Sequence, residues 1–170
     1  MMAKMVIGSG LDNYIKTLEE LDIKTDALLG KAVYDGAKIV ADQVRSNIKA
    51  LPVSNSKKRG SVANQIDTIT TAQKDGLLQG FGISKLKTQN GLVNVKLGFD
   101  GYNSQVSSTA KKNGAKNSHQ PNIVIARSVE NGTYFRKKHP FIAPAVRATR
   151  AAAEKAMADK LDQEIVKVMK

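Results

Sequence analysis

Residues 121–170 are PNIVIARSVENGTYFRKKHPFIAPAVRATRAAAEKAMADKLDQEIVKVMK, and they predict two helices joined by a tight basic turn. The first helix starts at Pro121, because proline suits a first helical position, where its missing N–H costs nothing. It ends before Gly132, since glycine commonly follows a helix in the left-handed conformation. The second helix begins near Pro140 and Pro144, where proline is still tolerated. Nothing in this stretch predicts a catalytic site.

An apolar stripe supports the second helix along most of its length. Its members recur at steps of three and four residues, the period of one helix face: Val146, Thr149, Ala153, Met157, Leu161, Ile165 and Val168. The acidic residues Asp159, Asp162 and Glu164 are interpreted as solvated. Lys160 and Glu164 form one of three i,i+4 ion pairs that support a helix weakly.

The N-terminal part predicts one short and one long amphipathic helix. The short helix covers residues 9–22, with Leu11, Ile15 and Leu18 on one face. The long helix runs from about Thr25 to Leu51, where Pro52 ends it. Its apolar stripe consists of Leu29, Val33, Ala37, Val40, Val44 and Ile48.

The clearest strand pattern is a hairpin over about residues 80–100, in which apolar residues of the second strand alternate with polar residues or glycine. A two-residue turn at Asn90-Gly91 would set Phe81 against the polar face. A three-residue loop, residues 89–91, pairs Phe81 with Phe99 instead, and we predict this loop. A lone hairpin is marginal in water, so it must pack on the helices, join further strands or pair with another subunit.

Two polar stretches, residues 52–72 and 103–120, are predicted as exposed loops. The first is basic and contains glycine, and its later part fits a strand or a short helix. For that part we predict an irregular segment with a helical turn. The second stretch carries Lys111, Lys112 and Lys116 without an acid. Loops of that length in compact domains are usually functional or disordered.

Length and charge bound the class of protein. At 170 residues the chain is most simply a single domain, residues 1–170, and its formal net charge is +12. Such an excess of cations favours a polyanionic partner, either nucleic acid or an acidic surface. Cysteine is absent, which excludes disulfides and thiol chemistry. No apolar run approaches the roughly 20 residues that span a bilayer, so we expect no membrane partner.

Residue types that carry catalysis or metal binding form no recognisable pattern. His119 and His139 are far apart in sequence and have no ligand spacing beside them. Gly80-Phe81-Gly82 lacks the frame of a dinucleotide-binding loop and precedes a strand rather than a helix. The sequence therefore predicts no enzyme, no cofactor and no metal site. Basic clusters are present instead, and one of them, Arg136, Lys137 and Lys138, lies in the predicted turn just before Pro140-Phe141.

Two stretches carry a resemblance to a known family. They are QKDGLLQGFGISKLKTQNGLVNVKLGFDGYN, residues 73–103, and QPNIVIARSVENGTYFRKKHPFIAPAV, residues 120–146. Together they resemble the neck and tail-completion proteins of long-tailed, non-contractile bacteriophages. The shared motifs are a Gly-Phe-Asp-Gly-Tyr strand end, a Pro-Asn helix, a Gly-Thr turn and a Pro-Phe-x-x-Pro-Ala helix start. The N-terminal helices also look similar.

The resemblance implies an α+β fold, with a small antiparallel sheet around the hairpin flanked by a long N-terminal and a long C-terminal helix. It implies a homo-oligomeric ring at the phage head–tail junction, with connector and tail-tube proteins as partners and a possible passing contact with genomic DNA. Such a protein is assembled in the bacterial cytoplasm and resides in the virion. The alternative is a small basic nucleic-acid-binding protein, since the net charge is strongly positive.

The motif residues are interpreted as structural turn and anchor positions: Gly98, Gly132, Thr133, Pro140, Phe141 and Pro144. A second set consists of basic residues that could face a partner: Lys111, Lys112, Lys116, Arg136, Lys137 and Lys138.

Overall fold

The computed structural model describes residues 3–5, 15–16, 25–55, 60–89, 92–106, 111–114 and 118–168. Its helices and strands follow in this order: β1 (Ala3–Met5), α1 (Thr25–Ala50), α2 (Thr71–Gly80), β2 (Phe81–Ile83), β3 (Lys87–Gln89), β4 (Leu92–Phe99), β5 (Tyr102–Val106), β6 (His119–Pro121), α3 (Asn122–Asn131) and α4 (Ile142–Val168). The predicted α+β class, with long N-terminal and C-terminal helices, is confirmed.

Helix α1 matches its prediction to within one residue at its C-terminal end, since it ends at Ala50. All six residues of its predicted stripe are buried. The short helix predicted for residues 9–22 lies mostly outside the described residues, although Ile15 and Lys16 are helical. In α4 the buried stripe includes Thr149, Ala153, Met157 and Leu161, as predicted.

Strand β4 is the centre of the larger sheet, with β1 on one side and β2 on the other, and β3 also pairs with it. In the β3–β4 pair, Lys87 lies opposite Asn94 and Gln89 lies opposite Leu92. Only residues 90 and 91 therefore connect the two strands. The predicted three-residue loop, residues 89–91, is wrong.

The other half of the hairpin keeps the predicted pairing. Asp100 N donates to Gly80 O at 2.8 Å, and Ser84 N donates to Lys96 O at 2.8 Å. The rings of Phe81 and Phe99 lie 5.0 Å apart, which places these residues opposite each other.

A β-bulge explains why the two halves of the hairpin differ in register. Ser84 lies opposite Lys96 and Lys87 lies opposite Asn94, so the chain advances three residues before β4 but only two residues within β4. The extra residue shifts the pairing by one, which is what a β-bulge does. The Ser84 Oγ also accepts from Lys96 N at 2.8 Å, so a side chain takes part in the pairing at this irregularity.

The chain divides into two compact units, to both of which α1, β4 and α4 contribute residues. The first unit consists mainly of residues 43–82 and 98–146. In it, α2 packs against β5 and α3. Helix α2 begins with a capping box, since Thr70 Oγ1 accepts from Gln73 N and Gln73 Oε1 accepts from Thr70 N. The irregular segment predicted here is therefore wrong from Thr71 onwards.

The second unit consists of residues 2–42, 83–97 and 147–170. Here α1 and α4 approach closely at Gly36, where a Cβ atom would lie 2.6 Å from Met157 Cε and 3.1 Å from Ala153 O. A side chain at this position would force Met157 to shift, so glycine favours the close contact. Three i,i+4 ion pairs predicted on α4 are present, and Lys160–Glu164 is one of them.

Both predicted exposed loops contain buried structure. Residues 103–120 begin in β5 and end in β6, and Asn103 is buried. In residues 52–72, Val53 forms a parallel bridge with Ile69, whose side chain is buried. The loop interpretation is wrong for these parts. Neighbouring hydrogen bonds and packing, rather than local apolar periodicity, order the described parts of these stretches.

The prediction that Glu164 is solvated is wrong, because the residue is only 4% exposed. Its carboxylate accepts hydrogen bonds from Lys167 at 2.8 Å and from Lys31 of α1. The ammonium groups of Lys167 and Lys31 hold the pKa of the Glu164 carboxyl at about 2, well below its ordinary value of 4.5. The ionised form therefore stabilises the folded state.

This pKa shift predicts an acid-dependent stability. The contribution of Glu164 is complete above pH 4.5 and is lost as the pH falls towards 2, because the unfolded chain takes up the proton first. We expect Glu164→Gln to lower the free energy of unfolding at pH 7, and the gap to wild type to narrow steadily below pH 4.5. Urea titrations of both proteins over this pH range measure the difference in the free energy of unfolding. Glu154→Gln, in an exposed pair, is the control; an equal, pH-dependent gap there would contradict the assignment.

Candidate partner surface at the 132–138 turn

The turn before α4 is a tight hairpin. Thr133 N donates to Arg136 O at 2.9 Å and Arg136 N donates to Thr133 O at 3.3 Å, which leaves Tyr134 and Phe135 at the tip. Gly132 has φ 75° and ψ 171°, a conformation open essentially to glycine alone. The predicted positive φ at Gly132 is confirmed. We call residues 132–138 the basic hairpin.

A second segment, residues 60–66, holds the basic hairpin, and we call it the brace. Ile66 N donates to Phe135 O at 3.0 Å, and Lys137 N donates to Ile66 O at 2.8 Å. The Gln65 amide donates to the carbonyl oxygens of Thr133 and Tyr134 at 2.9 and 3.2 Å. Most carbonyl groups around the tip are therefore tied to the brace, so the hairpin has a fixed backbone.

The exposed side chains of this hairpin are aromatic and basic. Tyr134 is 71% exposed, and its ring meets the ring of Phe135 edge-on with centroids 5.0 Å apart. Lys137 and Lys138 are both exposed. The brace begins at Gly60, which lies against the Phe135 carbonyl group. In the sequence, Gly60 directly follows Lys57-Lys58-Arg59, which lie outside the described residues.

Arg136 points inward, and the prediction that it faces a partner is wrong. It is only 6% exposed, and its Nη1 donates to the Thr68 carbonyl oxygen at 2.6 Å. Burial lowers the pKa of the Arg136 guanidinium from its ordinary value. In the sequence it looks like its neighbours Lys137 and Lys138, but its role is to join the hairpin to the segment before α2.

Glu130 organises the start of α4, and the sequence interpretation missed it. Its carboxylate is buried and accepts from Phe141 N at 2.7 Å, Ile142 N at 2.9 Å and Ala143 N at 2.9 Å. These are N–H groups that the helix itself cannot satisfy. The negative charge also lies at the positive end of the helix dipole. One signal was available: Glu130 is the only acidic residue in the sequence between Asp100 and Glu154.

Phe141 is the buried anchor that the sequence predicted. It is 1% exposed, and its ring meets the ring of Phe99 edge-on at 6.0 Å. Its carbonyl oxygen accepts from Asn47 Nδ2 at 2.9 Å. Pro140 and Pro144 line a shallow open groove of about 320 Å³ beside it. These prolines are structural parts of the helix start.

The remaining predicted residues lie elsewhere in the chain. Gly98 is part of β4, and Lys111 and Lys112 are exposed. Lys116 lies outside the described residues. The structure therefore brings together Gly132, Thr133, Lys137 and Lys138 in one hairpin.

No family model, curated protein or solved structure matches this chain. The described residues contain no group of three His, Cys, Asp or Glu side chains that could hold a metal ion. None of the described helices combines the length and the apolar character needed to cross a membrane. The candidate surface is therefore characterised by its own geometry: a rigid hairpin that presents an aromatic ring and lysines.

Proposed function

We propose that this protein is a structural virion subunit that forms a ring at the head–tail junction of a long-tailed, non-contractile phage. The similarity of residues 73–103 and 120–146 to neck and tail-completion proteins supports the proposal. Its partners are further copies of itself, together with connector and tail-tube proteins. Assembly takes place in the bacterial cytoplasm.

The observation that carries the proposal is an open sheet edge. Strand β3 pairs with β4 on one side, and in the described part of the chain no strand covers its other side. All three residues of β3 are exposed. Leu92, which pairs with Gln89, is 53% exposed. An uncovered edge offers backbone N–H and C=O groups to a neighbouring chain, so it is an assembly surface unless something blocks it.

A second strand offers a further contact surface. In β5 the exposed residues alternate with buried or half-buried ones, so Tyr102 and Val106 face outward while Asn103 faces inward. Two large apolar side chains on the exposed face of a two-stranded ribbon favour contact with another protein. In a closed ring each subunit uses two different surfaces, one for each neighbour.

The role of the β3 edge in ring assembly can be tested by a single substitution. In a two-residue hairpin the closing pair Gln89–Leu92 exchanges both backbone hydrogen bonds, so the N–H of Thr88 is expected to point away from β4. Thr88→Pro removes that N–H and should abolish ring assembly while leaving the subunit folded. Thr88→Val keeps the N–H and is the matched control. Mass photometry and negative-stain electron microscopy of the full chain measure assembly.

The proposed location at the head–tail junction is tested in virions, because assembly can require the growing tail as a template. A tagged chain supplied during phage growth should be found by immunogold labelling at the head–tail junction of purified virions. A chain that is monomeric in solution and also absent from virions would contradict the proposal. Rings that assemble equally well with Thr88→Pro would instead remove β3 from the subunit interface.

A further inference from the structure

The basic hairpin presents two exposed cations, Lys137 and Lys138. Few acidic residues near the hairpin and brace in the sequence offset this positive charge. In residues 60–69 and 130–140 the acids are Asp67, which is exposed, and Glu130, which is buried and occupied by the start of α4.

We propose that the basic hairpin and its brace bind single-stranded nucleic acid, with phosphates at the lysines and one unpaired base stacked on Tyr134. Proteins that bind single strands without sequence preference combine cations that follow the backbone with aromatic rings that stack on bases. Here the cations and the ring belong to one hairpin. The surface does not depend on ring formation, so this proposal and the proposed virion role can fail separately.

Tyr134 is prepared for stacking. Its ring is largely exposed, yet the edge-on contact with Phe135 restricts its orientation. The Gln65 amide holds the carbonyl oxygens of Thr133 and Tyr134, so the backbone that carries the ring is fixed before a ligand arrives. A preorganised ring loses little conformational freedom on binding.

The shape of the surface favours nucleic acid over an acidic peptide. Tyr134 and Val62 are both strongly exposed, and the open groove beside α4 is lined by other residues, among them His139 and Pro140. Amphipathic peptides need an apolar groove to receive their anchors. Phosphates need only accessible cations, and the net charge of +12 attracts a polyanion from a distance.

The test is fluorescence anisotropy of the full chain with a labelled oligothymidine of about 20 nucleotides, a length that covers one such site. We expect Lys137→Gln with Lys138→Gln to weaken binding about tenfold or more at low salt. The slope of log K against log salt should become shallower by about 1.4, since each phosphate contact to a single strand contributes about 0.7. Lys38→Gln with Lys85→Gln removes the same charge from exposed positions of the other unit and is the matched control.

Tyr134→Ala separates stacking from charge. It should weaken binding of the single strand about tenfold and leave binding of a duplex of the same length unchanged, because paired bases are not free to stack. Several results would overturn the proposal: no binding at low salt, an equal loss in the Lys38/Lys85 control, or an equal effect of Tyr134→Ala on duplex. Polyglutamate that binds as tightly as the oligonucleotide, with the same loss in the Lys137/Lys138 variant, would assign the surface to acidic proteins instead.

Discussion

Replacing Glu130 with alanine should lower the free energy of unfolding by about 3–5 kcal/mol. The substitution removes the acceptor of three backbone N–H groups at the start of α4. Two of them belong to Phe141 and Ile142, which are buried, so water cannot replace the carboxylate there. Each buried donor left without a partner costs about 1–3 kcal/mol, and the helix also loses an anion at its positive end.

Urea denaturation of the purified chain measures this effect, and two variants define its cause. Glu130→Gln keeps one side-chain oxygen but no charge, so it should be less destabilising than Glu130→Ala. Glu154→Ala removes a carboxylate from an exposed i,i+4 pair, and its cost should stay below about 0.5 kcal/mol. A Glu130→Ala protein within about 1 kcal/mol of wild type would show that α4 does not depend on this cap.

The long helices were predictable because their evidence is local and repeated. In α1 and α4 every turn repeats the same apolar stripe, so an error at one position changes little. Helix α2 has no such stripe and was not predicted. Its start signal was nevertheless present: Thr70 and Gln73 have the spacing of a capping box, and the structure forms both of its hydrogen bonds.

The hairpin shows why register is harder to predict than strand position. The pairing of Phe81 with Phe99 follows from placing two apolar residues on one face, and the structure agrees. The loop derived from that pairing was wrong, because a bulge between Ser84 and Lys87 absorbs the extra residue. A bulge changes the count without leaving an apolar pattern, so alternation alone cannot locate it.

The candidate surface was predictable only in part. Three consecutive cations, Arg136 to Lys138, look equivalent in sequence, yet the first is buried against the Thr68 carbonyl oxygen. Its inward direction follows from the pairing of the hairpin with residues 60–66, which are remote in the sequence. Contacts of such separation leave no periodicity in either segment, so composition could indicate a basic surface but not its members.

Phe141 should give the second large effect, with Phe141→Ala lowering the free energy of unfolding by about 3–5 kcal/mol. The side chain is fully enclosed and meets Phe99, which in turn packs against Phe81. Truncation removes most of the buried apolar surface of the ring and leaves a cavity that helix α4 and strand β4 cannot easily close. The cost is then the lost transfer free energy plus the cavity term.

The size of the replacement separates packing from capping at this helix start. Phe141→Leu keeps the backbone N–H that donates to Glu130 and fills most of the space, so it should cost about 1–1.5 kcal/mol. Because Phe141 and Glu130 are directly joined, the double variant Phe141→Ala with Glu130→Ala should cost less than the two separate effects together. Urea titrations of the four proteins give that difference. A Phe141→Ala midpoint close to wild type, or strictly additive costs, would contradict a single cooperative unit formed by the end of α3, the turn and the start of α4.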